Sequence, residues 1–240
     1  MAATVDPQTS LGDLVTAHPS LARELERRDL DYCCGGARSL ADACAEQGLD
    51  ATLVATELAA ATTESAPPEW ADLAPAALTD HLVAVHHRYL HEELPRLSAL
   101  LEKIESVHGE RHPELGAVRR TYEELRAELE PHLVKEEQVL FPMIHELDAS
   151  DGPVQFHCGS LQNPISVMLV EHDRAGELLR ELRSLTSDYS VPADGCASYR
   201  ATYEGLEAVE ADTHLHVHKE NNLLFPAVAA LEAQRCSTPA

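Results

Sequence analysis

The chain has 240 residues, enough to bury a full core and to divide into one domain with a small second one. Apolar residues make up 44% of it but aromatic ones only 4%, so the interior rests on Leu, Val and Ala, a composition that favours closely packed helices over a β-sandwich. With 18 Lys+Arg against 41 Asp+Glu the formal charge is −23, which argues against a nucleic-acid or anionic-membrane partner and suits a protein that attracts cations.

Met1–Asp6 has neither the basic start nor the apolar run of a secretory leader, and no stretch approaches the roughly 18 apolar residues needed to span a bilayer. Six cysteines in that context do not read as a disulfide framework, and a reducing, cytoplasmic location is expected. Residues 1–62 predict a small domain of short helices. Leu11, Leu14 and Val15, then Leu21 and Leu25, fall at helical spacing, with Ser10 and Ser20 as N-caps. Ser39 caps a helix that starts at Leu40 and that Gly48 ends; Asp50 caps the next, which runs toward Ala60.

Between these helices stands Asp31-Tyr32-Cys33-Cys34-Gly35-Gly36. Adjacent cysteines cannot close an ordinary disulfide without strain, so they act as thiols. The glycines predict a tight turn that exposes both sulfurs. Arg38 and the helix start at Ser39 predict a lowered thiol pKa. The alternative is two small apolar residues packed in a turn. Cys44, Cys158, Cys196 and Cys236 are scattered and read as structural or incidental.

Residues 63–75, with Pro67-Pro68 after a polar run, read as a linker. Residues 76–240 then carry four long helical patterns: Ala76 to Val107, Glu114 to Ile144, Ile165 to Leu185 and Ala197 to Gln234. Pro95 is expected to kink or break the first, and Pro131 to bend the second. A long connection, Asp148 to Asn163, joins the halves, and a Pro192–Gly195 turn joins the last two helices. The pattern predicts an all-α protein: an up-down-up-down four-helix bundle behind a small helical domain.

The bundle contains a repeat. His132-Leu-Val-Lys-Glu136-Glu-Gln-Val-Leu-Phe141-Pro142 returns as His216-Val-His-Lys-Glu220-Asn-Asn-Leu-Leu-Phe225-Pro226, and solitary histidines, His87 and His172, precede the two copies at nearly equal distances. His and Glu at i and i+4 share one helix face, so both side chains reach one ion. Four imidazoles and two carboxylates are the ligand set of a two-metal site in a bundle core, and the absence of cysteine from it points to iron, manganese or zinc. Packing alone accounts for a duplicated Leu-Phe-Pro, but not for paired His and Glu where a bundle otherwise buries Leu. His214 and His218 lie about 200° round the helix from His216 and read as solvated. His86 points about 100° off the ligand direction. His81 and His91 are candidates to orient a ligand or line an access path; Glu137 reads as solvated, and Glu171, beside His172, could hydrogen-bond near the site.

With these motifs on the page, the chain resembles the repair-of-iron-centres family, the di-iron proteins of YtfE and ScdA type. The resemblance is carried by Asp31–Gly36, His132–Ile144, Pro164–Met168, Glu171–Leu179 and Glu220–Pro226. It implies two non-haem iron ions, oxo- and carboxylate-bridged, held by His87, His132, Glu136, His172, His216 and Glu220, with Glu136 and Glu220 as bridges. It implies repair of iron–sulfur clusters damaged by nitrosative or oxidative stress, through nitric oxide binding or reduction, iron donation, or both. Cys33 and Cys34 are then the functional thiols and damaged iron–sulfur proteins the partners; a nitric oxide reductase-like activity and a homodimer stay open. The alternative is a hemerythrin-like oxygen or redox sensing module without catalysis, which needs no thiol pair.

Overall fold

The computed structural model describes residues 5–62 and 68–237, with side chains to Arg235; the first five residues of the expected linker, 63–67, and the Cys236 side chain lie outside the described residues. Every regular element among the described residues is helical. Four short helices come first: α1 (Leu11–Ala17), α2 (Ala22–Glu26), α3 (Leu40–Glu46) and α4 (Ala51–Ala61). Their starts follow the capping residues. Ser10 Oγ accepts from Asp13 N, Ser39 Oγ from Asp42 N, and Asp50 Oδ1 from Thr52 and Leu53 N. Ser20 does not cap: Pro19 sets up a 3₁₀ turn, Pro19–Leu21, and α2 grows from that turn without a side-chain cap. Gly48 ends the α3 region at φ +68°, a conformation that favours glycine.

Four long helices follow. Pro75–Leu82, the π-helical turn Val83–His87 and Arg88–His108 run on as α5. Leu115–Lys135, the π turn Glu136–Leu140 and Phe141–Ala149 make α6, and Gln162–Leu185 makes α7. Ala197–Lys219, the π turn Glu220–Leu224 and Phe225–Ser237 make α8. Neither Pro95 nor Pro131 breaks its helix. The π turns of α6 and α8 have a cause in the repeat. Pro142 and Pro226 lack an N–H and their rings crowd the carbonyl four residues back. Just before each proline the ladder widens, and Phe141 N–H reaches Glu136 O while Phe225 N–H reaches Glu220 O.

The interior divides into three apolar clusters. One, with Leu90, Leu94, Leu125, Leu129, Leu178 and Tyr203, fills one end of the bundle. Another, with Leu82, Leu140, Phe141, Met168, Leu224 and Phe225, fills the other end, and the connection packs Val154, Phe156 and Cys158 against it. The third belongs to α1–α4 and takes in Val217 of α8. On α5 the chain passes from Leu82 through His87 to Leu90; on α7 from Met168 through His172 to Ala175. On α6 and α8 it runs the other way, through Glu136 and Glu220. A polar layer is therefore held between two apolar plugs, at the level of the π turns.

Candidate metal centre

Six side chains meet in that layer. His87, His132, Glu136, His172, His216 and Glu220 are each no more than 3% exposed. They form two donor groups: His87 and His216 with Glu136 and Glu220, and His132 and His172 with the same two glutamates. Both carboxylates are shared between the groups. His132 Nε2 lies 3.3 Å from Glu136 Oε1 and His87 Nε2 3.4 Å from Glu136 Oε2. His216 Nε2 lies 3.2 Å from Glu220 Oε1 and His172 Nε2 3.1 Å from Glu220 Oε2. The Nε2 atoms approach in pairs, His87 with His216 and His132 with His172, each at 3.2 Å.

The outer ring nitrogens fix the tautomers. His87 Nδ1 lies 2.9 Å from Glu137 Oε1, His132 Nδ1 2.9 Å from Glu171 Oε2, and His172 Nδ1 2.9 Å from Asn221 Oδ1. Those oxygens only accept, so each Nδ1 carries the hydrogen and each Nε2 turns a lone pair inward. At His132 and His172 two lone pairs thus face each other, an arrangement that needs a proton or a cation between them. All four oxygens of Glu136 and Glu220 are buried without a hydrogen-bond partner. An orphaned buried carboxylate is costly. The donor set therefore fits a positive ion, and hard oxygen with imidazole suits iron.

Without the ion, protons take its place. Burial opposes charge on His132, yet Glu136, Glu220 and Glu171 outweigh it and push the imidazole up to about 9. Burial likewise opposes ionisation of Glu220, but the imidazoles of His216 and His172 hold it well below the usual carboxylate range. A cleft of about 10 Å³ lined by Glu128, His132, Glu171, His172 and His216 has room for a water-sized molecule.

Several residues differ from the sequence expectation. Glu137 is an orienting carboxylate, held also by His91 Nε2 at 3.0 Å, and Glu171 binds Lys135 as well as His132. His214 and His218 are covered, not solvated, because α1–α4 pack on that face of α8. His218 is fully buried, 3.1 Å from Thr16 Oγ1, and burial lowers it to about 4; His214 Nδ1 meets Glu26 Oε1 at 3.2 Å. His86 stacks on His216 at 5.3 Å and bonds Asp212 Oδ1 at 2.8 Å. Lys219, buried and lowered to about 8 by burial, donates to His86 Nε2 at 2.7 Å and His81 Nε2 at 2.9 Å. The repeat places Lys135 and Lys219 at the same offset, but Lys135 is half-exposed and pairs with Glu171, and only Lys219 is buried.

The cysteine turn lies outside the six-residue layer. Asp31 Oδ1 accepts from the backbone N–H of Cys33 (3.1 Å) and Cys34 (2.9 Å), which folds the turn. Asn222 Nδ2 ties it to α8 through the carbonyls of Tyr32 and Cys33. Asn221 Nδ2 donates to Cys33 O while its Oδ1 holds His172, so two hydrogen bonds separate the turn from the layer. The turn does not expose both sulfurs: Cys33 is 7% exposed and only Cys34 is partly open. Nor is the Cys33 thiol activated. The Cys34 sulfur, burial and Asp31 push it well up, while Arg38, packed against Gly35, pairs its guanidinium with Glu46. Cys196, read as incidental, sits 3.3 Å from His108 Nε2, and that imidazole lowers its thiol to about 7.

Residues 78–228 match the hemerythrin HHE cation binding domain, and residues 7–62 match ScdA_N, a domain of unknown function. A probable iron-sulfur cluster repair protein of Haemophilus influenzae is 35% identical over 224 residues, covering 92% of this chain and 96% of that protein. The iron-sulfur cluster repair protein YtfE of Escherichia coli O81 is 34% identical over 222 residues, covering 92% and 97%. Its namesake in Escherichia fergusonii shares the same identity and coverage. No helix among the described residues is long and apolar enough to cross a membrane. The buried His/Glu layer lies inside the matched cation binding domain and supports non-haem iron binding, and the chain belongs to the hemerythrin-like repair-of-iron-centres family of YtfE and ScdA type.

Proposed function

We propose that this chain is a di-iron protein that repairs iron–sulfur clusters damaged by nitrosative or oxidative stress, acting in the cytoplasm on damaged iron–sulfur proteins. The observation that carries the reading is the sharing of Glu136 and Glu220 between two groups of two imidazoles, with all four carboxylate oxygens otherwise unpartnered. Two ions side by side satisfy every one of those oxygens; one ion does not. His87 and His216 would hold one ion and His132 and His172 the other, with Glu136 and Glu220 shared between the two groups. When bound, the iron pair supplies coordination positions for a small ligand such as nitric oxide or oxygen.

The protein's own part is orientation and exclusion. Glu137, Glu171 and Asn221 keep three Nε2 lone pairs aimed inward. The two apolar plugs keep bulk water from the layer, and the small cleft beside His132 and His172 has room for a water-sized molecule. Cluster repair follows from the names of the relatives together with this site. The test is a [4Fe–4S] hydro-lyase inactivated by nitric oxide and incubated with the iron-loaded chain. Recovery of its activity with matching loss of iron from the chain supports donation; recovery without iron loss supports nitric oxide removal. No recovery beyond that given by the Glu136→Ala variant rejects the proposal.

A further inference from the structure

A third group of metal-ligating side chains lies outside the iron layer. Asp31, Cys33 and Cys34 place one donor atom each within 4.8 Å of one another. The Cys33 and Cys34 sulfurs are 3.9 Å apart, and Cys33 Sγ is 3.2 Å from Asp31 Oδ1. Two thiolates bound at about 2.3 Å to a tetrahedral ion sit about 3.8 Å apart. The spacing of the two sulfurs therefore already matches the bite of one ion. The turn is prearranged as well: Asp31 folds it, and Asn222 and Asn221 fasten its carbonyls to α8. Beside it opens a cavity of about 410 Å³, lined by Cys33, Cys34, Asp31, Arg180, Arg183 and His214 among others.

We infer that Asp31, Cys33 and Cys34 form a second metal site, for one thiophilic divalent cation such as iron(II) or zinc(II), with its fourth position facing the cavity. Three protein ligands and one open position are the arrangement of a site that exchanges a ligand rather than a closed structural one. Binding replaces two S–H bonds by two metal–sulfur bonds, and the two protons leave to solvent; no electron is transferred. The mutual repulsion that disfavours thiolate at Cys33 in the empty turn becomes attraction once a dication lies between the three donors. The open position takes a thiolate or carboxylate from a second molecule, so the site is built to pass a cation on. It stands whether or not the buried layer holds two irons, because the two share no ligand.

Cobalt(II) tests this, since cobalt–thiolate coordination gives a charge-transfer band in the near ultraviolet. Iron-loaded full-length protein should take up one equivalent and develop the band. The Cys33→Ser and Cys34→Ser variants should each lose it, and Asp31→Asn should weaken uptake by about tenfold or more. A Glu136→Ala/Glu220→Ala variant should keep it, which separates this site from the buried one. In the unmodified chain, one equivalent of zinc(II) should shield Cys34 from alkylation, read by peptide mass; this holds even if a serine variant misfolds. No band and no shielding would overturn the inference, as would a band that survives in both folded serine variants.

Discussion

Raising the pH from 7 to 8 should weaken the metal-free protein through His132. Its imidazole is pushed up to about 9 in the folded chain, against about 6.5 when unfolded. A folded-state pKa above the unfolded value means that the folded chain holds the extra proton. The resulting stabilisation is fully present below pH 6.5 and is lost as the pH rises through 9, a total of about 3 kcal/mol. Between pH 7 and 8 the folded imidazole is nearly fully protonated and the unfolded one only slightly so, which makes the slope about 1 kcal/mol per unit. His87, also shifted upward, acts in the same sense. Lys219, lowered to about 8, and the Cys196 thiol, lowered to about 7, act in the opposite sense. His132→Gln is therefore the reference, since it shares both. Urea unfolding of chelator-treated wild type and variant should show the wild-type advantage shrinking by about 1 kcal/mol over that unit of pH. Iron-loaded wild type should not show the trend, because the cations replace the proton. An advantage that stays constant from pH 7 to 8 would refute the reasoning.

Gly36→Ala should cost about 1–3 kcal/mol, because the added Cβ would stand 2.5 Å from the Tyr32 carbonyl and against Asn222; a chemical denaturation midpoint measures it. A chain starting at Pro68 should keep its iron, since all six proposed ligands lie beyond that point. It should also melt lower, because Val217 loses its cover, worth about 2 kcal/mol alone; iron analysis and a melting curve check both halves. Changing Cys33 and Cys34 together to Ser should leave the iron of the buried layer and its visible spectrum intact while lowering repair of a nitric oxide-damaged client enzyme.

The six-residue layer was legible because its signal is one of type and register: His and Glu at i and i+4, twice, each copy with a matched upstream histidine. Helix spacing brings such residues to one face whatever the loops do. The π turns were half legible. Pro142 and Pro226 marked the repeat, but that the ladder would widen just before them depends on how each helix accommodates a missing donor. His214 and His218 were misread because a helical wheel shows which residues share a face, not what covers it. The cover here, α1–α4, is distant in sequence. Glu137 escaped for a related reason, since its partner His87 sits on another helix, whereas Glu171 does bond near the site, at His132. The thiol pair shows the limit of local electrostatics: Arg38 is near in sequence, yet its guanidinium pairs with Glu46.

The most direct test of two shared carboxylates between two ions is iron analysis joined to Mössbauer spectroscopy of the purified protein and of its Glu136→Ala and Glu220→Ala variants. The account predicts about two irons per chain in the wild type, magnetically coupled through the bridges, and loss of iron or of the coupling in each variant. One iron per chain, or full retention with an unchanged spectrum in both variants, would contradict it.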